Sequence, residues 1–340
     1  MLLRWIRWLA SGLAFVYLLG YCCWRLLLLT PLYDRDWRLP LSEVLGSWFY
    51  LPLLPLLVLG AIARSRLALL MLVAPLLFFA SEYGAQLLPR WLWLGRVQPG
   101  ATVVRFMTWN THLAYDHSGE FRALLTRQQP DLVALQEISY SLARILADEV
   151  TVLYPYQQMY GAGSASGLAI LSRYPIRAFE INAGVLRCRC MRVTLDIDGQ
   201  EVTVLNTHVW SPMISIDQHR AIPRVARFDN AHQTGNFSAL LDQIAAAPGP
   251  LIMLGDFNTT ERQPNYRRLN QLLRNAFAEA GWGMGFTFPT NASYLTLRVP
   301  PFVRIDHIFF NDAWRAAGAW RGRLVESDHA YVIADLVLLH

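Results

Sequence analysis

The chain has 340 residues, of which 54% are apolar and only 16% charged. That balance excludes an intrinsically disordered chain, which needs low hydrophobicity and high charge. A mean hydropathy of +0.25 is high for a water-soluble protein of this length and points first to membrane segments.

The net charge is +5, and every basic side chain other than histidine is arginine. The first hundred residues hold nine Arg against four acids and carry the whole excess; the remainder is balanced. The positive charge therefore belongs to the apolar end and is not the basic footprint of a dedicated nucleic-acid binder. The four cysteines fall in two pairs, Cys22-Cys23 and Cys188-x-Cys190, a spacing that fits neither a zinc motif nor a disulfide framework. The first pair reads as small hydrophobes within an apolar run. Cys188 and Cys190 share one strand face and read as core packing rather than a redox pair.

In chain order, three apolar stretches come first. Residues 8–24 carry no charge between Arg7 and Arg25, and residues 44–63 none between Glu43 and Arg64; residues 67–88 are apolar apart from Glu82, Gln86 and small polar residues. Each approaches the roughly 20 residues that a bilayer requires. Pro52, Pro55 and Pro75 are tolerated in such helices, and Trp91 and Trp93 read as an interfacial belt. No A-x-A site follows the first run, so an uncleaved anchor is expected rather than a signal peptide. Bulky Tyr21 before Cys22 argues against a lipoprotein. The expected organisation is a membrane anchor over 1–88, a linker over 89–101 marked by Pro89, Pro99 and Gly100, and a catalytic domain over 102–340. Arg4, Arg7, Arg64 and Arg66 favour an inner N-terminus, which would put the catalytic domain outside the cytoplasm; Arg35, Arg38, Arg90 and Arg96 pull the other way. The expected location is the plasma (inner) membrane.

From residue 101 the pattern changes to short β-rich runs and helical stretches. TVVRFMTWN, DLVALQE, GLAILSR, RCMRVTLDI, EVTVLNTH, PLIMLGDFN, RIDHIFF and HAYVIADLVLL read as strands; 119–129 and 236–247 read as amphipathic helices. Polar residues sit at strand ends: Asn110, Glu137, Asn206 with His208, Asp256 with Asn258, Asp306, and Asp328 with His329. Rigid strands that deliver polar groups to one edge pre-organise a site. Carboxylate and amide oxygens suit a hard divalent cation, and histidines beside carboxylates suit acid–base work near neutral pH. His307 is expected on the opposite strand face to Asp306, and Ser327 as a hydrogen-bonder rather than a triad nucleophile. His117, His219 and His232 read as surface residues, and Asp116 carries no assigned role.

Taken in order, TWN, QE, GLAILSRYPI, NTH, GDFN, RIDHIFF and SDHAYV resemble the endonuclease/exonuclease/phosphatase superfamily over roughly residues 103–340. That superfamily includes deoxyribonucleases, abasic-site endonucleases, sphingomyelinases and inositol-polyphosphate phosphatases. The resemblance implies an α/β fold: a four-layer α/β sandwich of two packed, mostly antiparallel sheets flanked by helices, here preceded by about three transmembrane helices. It implies a metal-dependent phosphoesterase acting by in-line water attack, with Mg2+ or Mn2+ as cofactor.

Carried over by motif, Glu137 is the principal metal ligand, and Asn110 holds the metal or a phosphate oxygen. His208 binds the scissile phosphate or acts as general acid. Asp256 orients the nucleophile or handles the leaving-group proton, Asn258 hydrogen-bonds the phosphate, and Asp328 is a further metal-side carboxylate. His329 is the general base on water, oriented by Asp306. His112 stands where some members carry an acid, so a single-metal site is expected.

Two apolar, aromatic segments, 210–216 and 281–302, are expected to flank the site. Their plainest reading is loop packing; a sharper one is contact with a lipid surface, and a third is base stacking by Trp282, Phe286 or Phe288. A duplex nuclease would need an arginine patch, for which Arg220, Arg224, Arg227, Arg262, Arg267 and Arg268 are candidates. A lipid or related phosphodiester therefore ranks ahead of nucleic acid as substrate, and a non-catalytic receptor comes last because the site set is intact. The expected partners are the membrane and the phosphate ester, with no obligate protein partner.

Overall fold

The computed structural model describes residues 1–88, 95, 97–113, 118–182, 187–217, 224–291, 293–294, 297–325 and 327–339. The chain forms two compact units: Met1–Leu87 with Met213–Asp229, and Leu88–Pro212 with Asn230–His340. Trp91, Trp93, Asp116, His117, His219 and Arg220 lie outside the described residues.

The first unit is helical. A 26-residue helix, Leu2–Leu27, and an apolar helical run, Arg66–Leu87, are each long and apolar enough to cross a bilayer. The second expected span, 44–63, is not one straight helix: Arg38–Val44 meets Gly46–Ile62 at a 75° bend, and counting that pair as one span brings the total to three. The reason is local. The first helix of the pair ends at Val44, Leu45 leaves helical geometry, and Gly46–Tyr50 tightens into a 3-10 turn.

Burial in this unit is inverted. Val16, Leu54, Leu70 and Leu77 are each at least 64% exposed, whereas Glu43, Ser65, Gln86 and the small residues Ala10, Ala14, Ala63 and Ala68 are buried. Polar side chains tie the helices together. Ser11 meets Ser65 at 2.9 Å, Tyr21 meets Tyr50 at 2.8 Å, and Tyr50 donates to Glu82 at 2.6 Å. Arg25 also pairs with Glu82, at 2.9 Å.

The second unit is built from strands. They are β1 (Val103–Asn110), β2 (Leu132–Gln136), β3 (Tyr156–Tyr160), β4 (Leu168–Ser172), β5 (Ile176–Asn182), β6 (Cys190–Ile197) and β7 (Gln200–His208). The hairpin β8 (Met213–Asp217) and β9 (Arg224–Asp229) belongs to the helical unit. After it come β10 (Leu251–Asp256), β11 (Arg274–Asn275), β12 (Ser293–Tyr294), β13 (Leu297–Arg298), β14 (Asp306–Phe310), β15 (Trp314–Gly322) and β16 (Tyr331–Leu338). One six-stranded sheet runs β15-β16-β1-β2-β4-β3 and the other β11-β14-β10-β7-β6-β5. Each expected strand forms, with ends within two residues of the motif. The less patterned β3, β5 and β15 were not expected.

Side-chain alternation sorts the core into layers. Phe106, Val204, Leu254 and Phe310 pack between the sheets. Met107, Trp109 and Leu135 face the helix Ser118–Gln128 through Phe121 and Leu124. Leu205, Met253 and Phe309 face the helix Ala231–Ala245 through Phe237 and Leu240. The result is the four-layer α/β sandwich.

Each sheet contains one parallel pair, β1 with β2 and β7 with β10; the neighbouring strands run antiparallel. This arrangement positions the site. The C-terminal ends of four parallel strands and the N-terminal ends of β14 and β16 come to one end of the sandwich. The register sets Asp256 opposite both His208 and Asp306. Gly255 permits it: with φ at 146°, a Cβ there would collide with the Thr207 carbonyl oxygen.

Candidate active site

All the expected site residues except Asp328 converge on Asp256, directly or through one neighbour. Asn110 Nδ2 donates to Glu137 Oε1 at 3.1 Å and to Asp256 Oδ2 at 3.0 Å, so one amide bridges two carboxylates. Its Oδ1 accepts from the His112 amide at 2.9 Å. His208 Nε2 lies 3.5 Å from Glu137 Oε1 and 3.6 Å from Asp256 Oδ2. Asn258 donates its backbone N–H and its side-chain amide to Asp256, at 2.8 and 3.2 Å. His329 Nδ1 donates to Asp306 Oδ2 at 3.0 Å, and its Nε2 lies 3.8 Å from Asp256 Oδ2. Asp328 instead meets His112 Nδ1 at 2.9 Å, with His329 Nε2 at 3.9 Å.

Burial sets the electrostatics. The Asp256 carboxyl is pushed up to about 7 by burial, against the pull of His329 and the bonds from Asn110 and Asn258. His208 is pushed down to about 4 by burial, with Arg189 adding to the effect. Its Nδ1 faces the Ala165 carbonyl at 2.7 Å, so the neutral ring donates there and turns its Nε2 lone pair toward the carboxylates. For His329 burial acts downward, but Asp306, Asp256 and Asp328 hold its proton up to about 10.

The donor set fits a divalent cation. Asp256, Asp306 and His329 offer ligand atoms within 4.8 Å of one another. Beside them the His208 lone pair, Glu137 and Asp256 converge, three donors in want of a positive centre. Asp306 is already committed to His329, which leaves Asp256 and Glu137 as the available oxygen donors.

The supporting residues explain how the sequence builds this. Ser327 donates to the Asn110 carbonyl at 2.7 Å and accepts the His329 amide at 3.0 Å, which ties β1 to the turn before β16. His307 faces away, between the Thr259 carbonyl and Asn275. Phe288 packs on the His329 ring at 4.8 Å, whereas Trp282 is exposed. The arginines considered as a patch are divided between the two units. Arg227 lies in the hairpin of the helical unit, Arg262, Arg267 and Arg268 lie in the other unit, and the Arg224 side chain is outside the description.

Three features were missed in the sequence. Cys188 and Cys190 form a disulfide rather than a reduced core pair. Arg189 between them takes φ 46° and brings the two Cα atoms to 5.2 Å, within disulfide reach. Arg189 itself is buried beside His208, and the C-R-C pattern was its one available signal. Gln136 and Asn206 join the two sheets beneath the site through a 2.7 Å bond, with Asn206 donating onward to the Leu135 and Ala169 carbonyls.

Comparison with known proteins follows the same lines. The profile described as "Endonuclease/Exonuclease/phosphatase family" matches residues 107–329. No curated protein matches by sequence. Among solved structures, humanized D. rerio TDP2 superposes with a TM-score of 0.54 at 17% identity, over 69% of this chain and 98% of that one. An endonuclease/exonuclease/phosphatase from Beutenbergia cavernae gives 0.51 at 20% identity, over 70% and 72%. D. rerio TDP2 complexed with single strand DNA product gives 0.54 at 15% identity, over 69% and 99%. At these identities the likeness concerns the fold.

Proposed function

The chain belongs to the endonuclease/exonuclease/phosphatase family, and from that premise we propose that it is a membrane-anchored phosphoesterase that hydrolyses a phosphodiester presented at a lipid surface. The observation that carries the chemistry is the Asp306–His329 pair set against Asp256, with Asn110 bridging Asp256 to Glu137. Glu137 and Asp256 would hold a divalent cation with Asn110 at their side. That cation, magnesium or manganese, neutralises charge growing on the phosphoryl oxygens.

The chain's own groups do the rest. His208 turns its Nε2 lone pair toward Glu137 and Asp256 and can donate to a phosphate oxygen only when protonated, whereas the Asn258 amide, donating to Val209 and Asp256, fixes the Asp256 carboxyl. Asp256, protonated or not near neutral pH, is poised to pass a proton. Asp306 fixes the His329 tautomer and directs Nε2 into the site. In the uncompensated site His329 keeps its proton. Its action as a base on water requires the carboxylate charge to be offset first. Asp328 is read as an outer carboxylate, held by His112.

The inverted burial of the helical unit supports membrane anchoring: leucines face outward and Glu82, Glu43 and Ser65 face inward, as lipid demands. The hairpin 213–229 of the same unit exposes Met213, Ile214 and Ile216, which favours a lipid-borne substrate. A buried disulfide in the second unit agrees with an oxidising compartment and so with an extracytoplasmic active site.

The test uses the purified full chain in mixed phospholipid–sphingolipid vesicles and, in parallel, with plasmid DNA. Each runs with magnesium, with manganese and with chelator. Chelator-sensitive release of phosphorylated head group, lost in His329→Ala, is the expected result. DNA cleavage with intact lipid would overturn the substrate assignment. Inactivity on both would leave a soluble phosphate ester to be sought.

A further inference from the structure

We propose that Arg189 binds a non-bridging oxygen of the substrate phosphate on the His208 side of the site, and that the Cys188–Cys190 disulfide is the clasp that holds it there. The proposal rests on the phosphoesterase reading above.

The placement comes first. Arg189 Nη2 and His208 Nδ1 both reach the Ala165 carbonyl oxygen, at 3.0 and 2.7 Å, so one acceptor holds the two side chains side by side. The Arg189 carbonyl in turn accepts the His208 backbone N–H at 3.1 Å. The same Nη2 lies 3.4 Å from Ser166 Oγ, and the guanidinium rests on the Trp210 ring at 4.2 Å. One edge and one face are thus occupied.

The second observation is the missing counter-ion. Arg189 is only 5% exposed, yet among the described residues no carboxylate pairs with it. A buried cation without a partner is costly, and an arriving anion removes that cost. Glu137 and Asp256 act on it only through space. A planar guanidinium with its remaining N–H groups unclaimed is built to grip two phosphate oxygens.

The third observation is the backbone. Arg189 holds a positive φ of 46°, one of eight described non-glycine residues that do; Glu137 and Asn258, at 53° and 49°, are two others. Glu137 and Asn258 are site residues, and such conformations persist where the surroundings over-determine them. At Arg189 the bond between its two neighbours provides that constraint.

The test measures binding directly. The full chain in detergent is titrated calorimetrically with inorganic phosphate, and the KM for bis(p-nitrophenyl) phosphate is measured in parallel. Arg189→Met should weaken phosphate binding and raise KM by at least about tenfold, the size of one charge-assisted hydrogen bond. Arg189→Lys should recover part of the loss, because a point charge lacks the fork and the stack. Cys188→Ser with Cys190→Ser should fall between wild type and Arg189→Met. Arg192→Met removes an equal charge from the same strand, where Nη2 only meets the Ala246 carbonyl at 3.3 Å, and should leave both readouts unchanged.

If Arg189→Met proves unstable, the lysine and double-serine variants decide the matter. Wild-type affinity in both would overturn the proposal, as would undetectable phosphate binding by the wild type. If the wild type binds phosphate but hydrolyses no ester, the enzymatic reading fails while the titrations still judge Arg189. Competition by phosphocholine against a deoxynucleoside monophosphate, each lost in Arg189→Met, separates a lipid head group from a nucleotide as the source of the phosphate.

Discussion

The two units of this protein bury opposite things. In the sandwich, apolar side chains such as Phe106, Val204 and Phe310 fill the interior and the buried charges include Asp256, Asp306, Arg189 and Arg304; in the helical unit, Leu54, Leu70 and Leu77 are outside and Glu43 and Ser65 are inside. Each unit has an arginine–carboxylate pair: Arg304, fully buried, with Glu261, and the half-buried Arg25 with Glu82. The difference teaches that burial is defined by the solvent. Apolar surface is expelled by water but not by hydrocarbon, where helices associate through small residues and polar bonds instead.

Several substitutions probe that contrast. The largest effect is expected at the site, which only the sandwich possesses. Asp306→Asn removes the group that orients His329 and should lower kcat by about 10²- to 10⁴-fold. The double variant with His329→Ala should be no worse than His329→Ala alone, because the pair acts as a unit. Fully additive losses would show that Asp306 works independently.

Next comes the buried ion pair of the sandwich. Arg304→Met strands Glu261 and should cost about 3–5 kcal/mol, read as an early melting transition of the strand-rich unit by circular dichroism. The matching change in the helical unit, Glu82→Gln, keeps a hydrogen-bonding group for Tyr50 and should cost only about 0.6–2 kcal/mol. An equal cost at both positions would erase the distinction between the two interiors.

Leu70→Arg places a charge on the outward face of the helical unit. It should cost about 2.5–3.5 kcal/mol of membrane insertion, seen as loss of the chain from the membrane fraction. Unchanged membrane recovery with improved solubility would mean that this face meets water.

A further effect is pH-linked. Burial pushes His307 down to about 3, below the roughly 6.5 of an unfolded histidine. The unfolded chain therefore binds the extra proton between those values. The contribution of His307 is complete above about pH 6.5 and is lost as pH falls toward 3, by at most about 1.4 kcal/mol per unit. His307→Gln should flatten the acid limb of the stability curve by that slope. His329 has the opposite sign: its folded value near 10 contributes fully below about 6.5 and fades as pH rises.

Much of the fold was legible because the signal was local. GDFN, RIDHIFF and NTH combine apolar strand residues with a polar end, and those strands formed where the pattern placed them. By contrast β15, with small residues and five half-buried positions, carries little alternation and could not be read. The bend between Val44 and Gly46 was obscured because an apolar count is blind to backbone direction. Within the site, Asn110, Glu137, His208, Asp256, Asn258, Asp306 and His329 were all named in advance, and the structure gathers them at one end of the sandwich. The cation nearest His208 was not, because an arginine between two cysteines has no period and no motif.

The sequence by itself determined which polar residues stand at strand ends and which stretches are long and apolar, since residue type and spacing record both. It did not determine their distances. Only the tertiary structure decided that two parallel strand pairs from different sheets end together, so that Asp256 sits between His208 and Asp306. Only it turned Asp328 toward His112, closed Cys188 onto Cys190 and laid Arg189 beside His208. Strand register and side-chain packing couple residues far apart in the chain, and no local pattern encodes that coupling.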